Sequence, residues 1–300
     1  MFNQIINILN KIYLTQKNYL TKVSTHRVKK NKFNSMRKYI LGGLGITLIT
    51  FSLFSLGWKS PIEKKVRKRT PTEQSIYDHY VSDLYDSLHV EDSGLRMEVF
   101  ERALTGFYNL KNAGKLSGTK SVISVADMDM LSSSKRLWII DLDQKKVILN
   151  TWVAHGQHSG ADKATQFSNV NDSYQSSIGF YVTGEIYTGK HGKSLRLDGM
   201  DAGFNDNARS RSIVVHGASY VGQGTINALG RLGRSQGCPA VAQELANTVI
   251  DTIEGKTVLF INSSAKQYTS RFLDEHVAAD FAQLKVLTPL PPVTVTIPES

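Results

Sequence analysis

The stretch of residues 212–254 constrains the fold most, because it carries the only cysteine of the chain between a strand pattern and a helix pattern. A short apolar run at residues 213–215 predicts a buried strand that ends at His216. A glycine-rich loop follows, and Cys238 then stands directly before an apolar pattern of helical period at residues 239–254. We therefore expect Cys238 at the N-cap of a helix, with His216 on a neighbouring strand end.

This pairing predicts a thiol nucleophile and its base. A thiol attacks a carbonyl group as the thiolate, and a helix dipole at Cys238 would lower the pKa of its thiol. His216 is the candidate general base or ion-pair partner. Pro239 has no N–H to donate, so we expect the backbone N–H groups of Gly237 and Cys238 to bind the oxyanion of the reaction.

Two other interpretations of this region stay open. A single cysteine is often an inert core residue, and that is the commoner case across proteins. A zinc site is the second alternative, drawn from His155, His158 and His191 together with His216 and Cys238. The first two histidines do not lie on a helix with a general-base glutamate, and no second cysteine completes a structural zinc pair. We therefore expect no metal, and we assign the three additional histidines to polar loops, with substrate contact as the second interpretation.

The positive charge of the chain is concentrated at its N-terminal end. The net charge is +10, but residues 1–72 hold 15 Lys and Arg against one acidic residue. Residues 73–300 hold 21 Lys and Arg against 25 acidic residues and are therefore slightly acidic. A nucleic-acid-binding domain would carry its basic patch on the folded part, so the composition argues against a nucleic-acid partner.

Residues 39–58 form an uncharged, mostly apolar run that is long enough to span a bilayer. A chain that began at Met36 would have the layout of a secretory signal peptide. We therefore interpret residues 1–35 as a basic N-terminal extension, residues 36–58 as a signal peptide or membrane anchor, and residues 59–72 as a basic linker. The remainder is expected to be exported to the periplasm or cell envelope. In such an oxidising compartment an unpaired thiol requires a functional reason.

The remainder of the chain divides into a helical part and a β part. Apolar residues recur at helical spacing from Ile76 to Leu88 and again in the following segment, so we assign residues 73–118 to a small helical subdomain. Short runs of strand period separated by turn residues predict a β-sandwich or barrel-like domain over residues 119–264. Residues 265–300 are expected to form a C-terminal helix, within 271–284, and a proline-rich tail.

Several ordered motifs of the β part match those of one enzyme family. The signature consists of His216-Gly217, a loop, and then Ser235-Gln236-Gly237-Cys238. Upstream motifs that fit the same pattern are Arg136-Leu137-Trp138, Val153-Ala154-His155-Gly156, Phe167-Ser168-Asn169, Ser176-Ser177-Ile178-Gly179 and Tyr187-Thr188-Gly189-Lys190-His191-Gly192. Over roughly residues 120–262 the chain resembles the murein L,D-transpeptidases, cysteine enzymes that remodel peptidoglycan. The resemblance is closest to the branch with a Ser-x-Gly-Cys-Pro-Ala motif.

The resemblance implies a β-sandwich catalytic domain, with a helix after the nucleophile and no metal or organic cofactor. It implies that Cys238 attacks the carbonyl between the third residue of a stem peptide, a diamino acid, and the terminal D-Ala. His216 would act as the base, oriented by the backbone carbonyl of Gly217. An amine of a second stem peptide would then resolve the thioester and give a 3→3 crosslink. We expect Ser235, Arg234 and Tyr220 to contact the substrate.

Two positions depart from the family pattern. Gln236 stands where the wider family has a histidine, and Ala240 stands where it has Arg or Asn. We hypothesise that Arg234 or Arg231 replaces the charge missing at position 240. The alternatives to transpeptidation are a carboxypeptidase or hydrolase that uses the same Cys–His site, and a non-catalytic protein that binds the cell wall.

Overall fold

The computed structural model describes residues 71–265 and 267–280. The basic extension, the apolar run at residues 39–58, most of the basic linker and the proline-rich tail lie outside the described residues, and their interpretations stay predictions. Within the described residues, no helix combines the length and the apolar character needed to cross a bilayer.

Eight strands form a single sheet at the centre of the described structure. They are β1 (Val122–Asp127), β2 (Leu137–Asp141), β3 (Lys146–Thr151), β4 (Gly179–Gly189), β5 (Gly192–Gly199), β6 (Val214–Ala218), β7 (Ala240–Ala242) and β8 (Val258–Asn262). Their order across the sheet is β3-β2-β1-β8-β4-β5-β6-β7. The pairs β1–β8 and β6–β7 are parallel, and the others are antiparallel. Strands β1 and β8 are buried at every position, as expected of central strands that are covered on both faces.

The two edges of this sheet meet just beyond β3 and at β7. Ala154 forms an antiparallel bridge with Ala240, and its N–H donates to the Ala240 carbonyl at 2.8 Å. Gly156 forms a second, parallel bridge with Ser235. Since these bridges join the outermost strands, the sheet curls into a nearly closed barrel. The predicted mainly β fold class with flanking helices is confirmed, and the sheet has a barrel-like shape.

Two helices precede the sheet, as the sequence predicts. They are α1 (Pro71–Leu88) and α2 (Met97–Asn112), separated by a 3-10 turn at Glu91–Ser93. One continuous cluster of buried side chains includes residues of both helices and of the sheet. The predicted buried face of α1 is wrong at its first position, because Ile76 is 43% exposed while Tyr77 and Val81 are buried.

The helix predicted at residues 239–254 is wrong in its first part. Residues Ala240–Ala242 form β7, a 3-10 turn follows at Gln243–Leu245, and α4 spans only Ala246–Ile253. Pairing with β6 decides this, because the buried Ala-Val-Ala segment completes the sheet, whereas a helix would leave the edge of β6 that faces away from β5 unpaired. The glycine-rich loop before it contains a short helix, α3 (Gln223–Leu229), that the sequence analysis missed.

The C-terminal helix predicted within residues 271–284 is confirmed in part. A 3-10 turn spans Arg271–Leu273 and residues 275–280 are helical. The remaining residues of the predicted helix lie outside the described part of the chain.

A buried arginine–histidine pair lies beside the closure of the sheet. His155 is fully buried, and its Nδ1 lies 2.8 Å from Nη2 of Arg136. Since a guanidinium can only donate, Nδ1 accepts, and the Nε2–H points toward the Gly160 carbonyl at 3.4 Å. Burial, and then the charge of Arg136, lower the pKa of His155 to about 4. His155 is therefore a neutral structural residue that joins the barrel closure to the loop at residue 160.

We expect this histidine to make the protein sensitive to acid. Its folded-state pKa of about 4 lies below the unfolded value of about 6.5, so the unfolded chain takes up the proton first as the pH falls. The free energy of unfolding should therefore decrease between pH 6.5 and pH 4.5, by about 2–3 kcal/mol from this group. His155→Gln should lose less stability over this range in urea unfolding, whereas the exposed-site control His79→Gln should behave as the wild type. Equal acid losses in the wild type and in His155→Gln would contradict this account of the pair.

The packing of α2 on the sheet gives a second test. A Cβ added to Gly106 would lie 2.0 Å from Cε1 of Phe180, whose ring is fully buried and stacked on Phe260 at 4.4 Å. Because the ring has no space to move, Gly106→Val should lower the free energy of unfolding by about 1–3 kcal/mol. The control Gly118→Val, whose Cβ would meet nothing within 4 Å, should change it little. Similar urea midpoints for the two variants would show that α2 does not pack this closely.

Candidate active site

The two principal residues expected from the sequence line one cavity of about 710 Å³. His216 lies in β6, with Ser194 of β5 and Ala240 of β7 as its register partners. Cys238 lies two residues before that partner in β7, so the parallel pairing of β6 with β7 brings the thiol to the same cavity as the imidazole. The loop of residues 218–234 therefore returns the chain to the strand that carries His216.

A backbone carbonyl holds His216 in one orientation. The side chain is 3% exposed, and its Nδ1 lies 2.8 Å from the carbonyl oxygen of Gly217. Since a carbonyl can only accept, Nδ1 carries the proton and Nε2 of the neutral ring keeps a free lone pair. Burial lowers the pKa of His216, and the neighbouring His191 and Lys190 lower it further, against the opposing effect of the Gly217 hydrogen bond. The His191 ring stacks on that of His216, with ring centroids 4.2 Å apart. Neutral His216 is the form that can accept a proton.

The surroundings of the Cys238 thiol differ from those expected. The residues after it form β7, so the predicted N-cap position is wrong and no helix dipole acts on the sulfur. Cys238 is half-buried, and burial raises the pKa of its thiol. A hydrogen bond from the Val214 backbone and the charges of Arg211 and Lys190 oppose that rise. The groups that favour the thiolate are therefore local hydrogen bonds and cations.

A hydrogen-bonded turn fixes the segment that leads to the thiol. The Ser235 hydroxyl donates to the Cys238 carbonyl at 2.7 Å and accepts from the Gly237 N–H at 3.0 Å. Gly237 has a φ of +121°, and an added Cβ would lie 2.7 Å from the Gln175 carbonyl. A side chain at this position would therefore collide with the neighbouring loop.

This turn changes the expectation for the oxyanion donors. The Gly237 N–H is engaged by Ser235, so its predicted role as a free donor is wrong for this arrangement. Among the described residues, no hydrogen-bond partner is found for the Cys238 N–H. Cys238 therefore stays as the candidate donor from the predicted pair.

The remaining predicted residues have different positions. Arg234 and Tyr220 line the cavity, as does Ser235. Nη1 of Arg234 is occupied by the Gln157 and Gly160 carbonyls at 3.2 and 2.9 Å. Burial raises the pKa of Tyr220 to about 12, with a further contribution from Cys238. Arg231 is not among the cavity-lining residues, and its Nη1 donates to the Leu232 carbonyl at 2.7 Å.

The structure adds a cation that sequence reasoning missed. Arg211 lines the cavity, just before the strand that carries His216. The signal for it was weak, because Arg211 stands in a polar run between two serines and belongs to no recognised motif. Its position near the thiol follows from the folding of the chain between β5 and β6.

The other histidines weighed for zinc are dispersed. Nδ1 of His158 lies 3.0 Å from the Ser173 carbonyl, and its ring packs edge-on against Tyr174. His155 contacts Arg136, as described above, and His191 stacks on His216. Among the described residues, no group of three or more His, Cys, Asp or Glu side chains is placed to hold a metal ion.

Comparisons with solved structures return L,D-transpeptidases at low identity. An L,D-transpeptidase from Mycobacterium smegmatis is 13% identical, with 48% of this chain and 59% of that chain covered and a TM-score of 0.30. L,D-transpeptidase 3 from Mycobacterium tuberculosis, in complex with a faropenem-derived adduct, is 15% identical, with 48% and 61% covered and a TM-score of 0.30. A mutant of the helical cell shape determining protein Pgp2 from Campylobacter jejuni is 12% identical, with 62% and 64% covered and a TM-score of 0.35. The chain thus spans about three fifths of the length of these structures.

The sequence itself matches one family. A comparison with curated protein sequences gives no match. The model of the L,D-transpeptidase catalytic domain matches residues 91–262, which begins earlier than the resemblance noted from the motifs and includes α2. Because this match covers more than half of the chain, the protein belongs to the family of L,D-transpeptidase catalytic domains.

Proposed function

We propose that this protein is an exported cysteine acyltransferase that crosslinks peptidoglycan stem peptides through a thioester on Cys238. The observation that carries the proposal is the shared cavity of Cys238 and His216, with Nδ1 of the histidine held by the Gly217 carbonyl. This arrangement supplies a nucleophile and an oriented base, the two groups that acyl transfer through a cysteine requires.

The first half of the reaction forms the thioester. Nε2 of neutral His216 accepts the thiol proton, and the Cys238 sulfur attacks the carbonyl carbon of the third stem residue. The Cys238 N–H stabilises the negative oxygen that develops on that carbon. The bond to the terminal D-Ala nitrogen then breaks, and the imidazolium of His216 returns the proton to the leaving amine.

The second half transfers the acyl group to an acceptor. An amine of a second stem peptide gives a proton to His216 as it attacks the thioester, and the thiolate leaves. A 3→3 amide crosslink forms, and the proton returns from His216 to the sulfur. Water in place of the amine would give the free acid, which is the carboxypeptidase alternative with the same residues.

The charge of the cavity supports an acidic peptide as the substrate. Arg211, Lys190 and Arg234 line it, whereas Asp172 is the only carboxylate among its described lining residues. A stem peptide that ends in D-Ala carries a free carboxylate, which such a cavity attracts. Arg234 is the more suitable replacement for the charge missing at Ala240, because Arg231 does not line the cavity.

The site of action that we propose is the periplasm or cell envelope. The substrate lies outside the cytoplasmic membrane, and the sequence of residues 39–58 supports export by a signal peptide or retention by an N-terminal anchor. That segment lies outside the described residues.

A covalent label tests the nucleophile and the base. We expect a carbapenem to acylate the protein and tryptic mass spectrometry to locate the adduct on Cys238. Cys238→Ser should form no adduct, and His216→Ala should acylate about 10²–10⁴-fold more slowly because the thiol proton has no acceptor.

The exposed histidine of α1 provides the control. His79→Ala should acylate at the wild-type rate, since it lies outside the cavity. Absence of an adduct on the folded wild-type protein, together with unchanged muropeptides after gene deletion, would instead favour a non-catalytic wall-binding protein.

A further inference from the structure

The guanidinium of Arg211 is held by neutral acceptors. Its Nη1 donates to the Ser168 carbonyl at 2.7 Å and to the Ser177 hydroxyl. Its Nη2 donates to the Ser173 hydroxyl at 3.1 Å and to the Gln175 carbonyl at 2.8 Å. All four acceptors belong to the segment of residues 168–177, which we call the cavity loop. Arg211 therefore holds the cavity loop by hydrogen bonds whose acceptors do not neutralise the charge of the guanidinium.

The neighbouring Arg209 shows the contrast. Arg209 donates to Glu185 at 2.7 Å and to Asp198 at 2.5 Å, so two carboxylates balance its charge at the surface. Among the described residues, no ion pair is found for Arg211. Its Nε is also buried and has no hydrogen-bond partner there. Arg211 thus keeps an unbalanced positive charge in a partly desolvated place.

This charge lies close to the segment that carries the thiol. A Cβ built on Gly237 would lie 3.4 Å from Nη2 of Arg211, and Arg211 and Cys238 line the same cavity. The cavity loop also reaches this segment directly, because the Ser176 hydroxyl donates to the Gly237 carbonyl at 3.3 Å. Arg211 can therefore act on the nucleophile in two ways. Its charge lies near the segment that carries Cys238, and the loop that it binds contacts this segment.

Other charged groups face the thiol from the surrounding elements. Lys190 and His191, on the β4–β5 hairpin, are exposed, so solvent weakens the effect of the Lys190 charge. His216 and Tyr220 approach from β6 and the loop after it, and Arg234 from the segment before Cys238. The exposed Asp172 on the cavity loop is the one carboxylate among the described lining residues.

We propose that Arg211 is a positioning residue whose unbalanced charge stabilises the Cys238 thiolate while its hydrogen bonds hold the cavity loop in place. The inference deepens the proposed function and rests on Cys238 being its nucleophile. The charge is needed because the half-buried sulfur precedes a strand, where no helix dipole assists it.

The thiol itself reports the effect. We would follow the alkylation of Cys238 by iodoacetamide as a function of pH, which gives the midpoint of thiolate formation without any peptidoglycan substrate. In Arg211→Gln the midpoint should rise by about 1 pH unit or more, so that alkylation at pH 7 slows about tenfold. Arg211→Lys keeps the charge but cannot make all four hydrogen bonds, and its midpoint should stay nearer to that of the wild type.

Controls separate the charge from a purely structural effect. Arg209→Gln removes the same formal charge two positions away, where carboxylates already balance it, and should leave the midpoint unchanged. If the midpoint rose equally in Arg211→Lys and Arg211→Gln, the loop contacts alone would matter. That result would contradict the proposal that the charge of Arg211 stabilises the thiolate. An unchanged midpoint in a folded Arg211→Gln protein would overturn the proposal outright.

A second variant keeps the arginine in case its removal prevents folding. Ser173 is half-exposed and contacts Nη2 of Arg211, so Ser173→Asp should place a carboxylate against the guanidinium. The midpoint should then rise, and an unchanged midpoint would count against the proposal. Failure of the proposed function would give a different result. The thiol would titrate as described here, but a carbapenem would not acylate it.

Discussion

The parallel pairing of β6 with β7 is the interaction on which the rest of the site depends. It places Ala240 beside His216. Cys238, two residues before Ala240, therefore lies against the start of β6. The bridge from Ala154 to Ala240 closes the barrel on the other side of β7. A three-residue strand is thus held on both sides, and its backbone pairing fixes the segment that directly follows the proposed nucleophile.

This solution has an electrostatic cost. A cysteine that precedes a strand receives no help from a helix dipole, and burial raises the pKa of its thiol. Burial of His216 lowers the pKa of its imidazole, which favours the neutral ring that can accept the proton. The Cys238 thiol therefore loses its proton less readily than an exposed cysteine does, while His216 is in the form that accepts a proton. Cations at the cavity wall favour the thiolate. Arg211 is suited to this role because the four groups of the cavity loop that bind it are neutral.

The sequence predicts the features that local patterns determine. It indicates the β class, the two helices before the sheet and the family, because strand period, helical period and ordered motifs are all local signals. It fails at residues 239–242, where a short apolar run fits a helix or a buried strand equally well and only pairing with β6 decides between them. Gly237 was expected to donate to an oxyanion, but the nearby Ser235 hydroxyl takes its N–H. Arg211 escaped notice because its importance comes from the cavity loop, which is distant in sequence.

The proposed thioester joins Cys238 to a peptidoglycan stem peptide. Its most direct measurement is intact-protein and peptide mass spectrometry after incubation with a tetrapeptide stem that ends in D-Ala, together with quantification of released D-Ala. We expect a tripeptide adduct on Cys238, one D-Ala released for each adduct formed, and neither product with Cys238→Ser. Unmodified Cys238 in the folded protein with no D-Ala released, or equal release by Cys238→Ser, would contradict it.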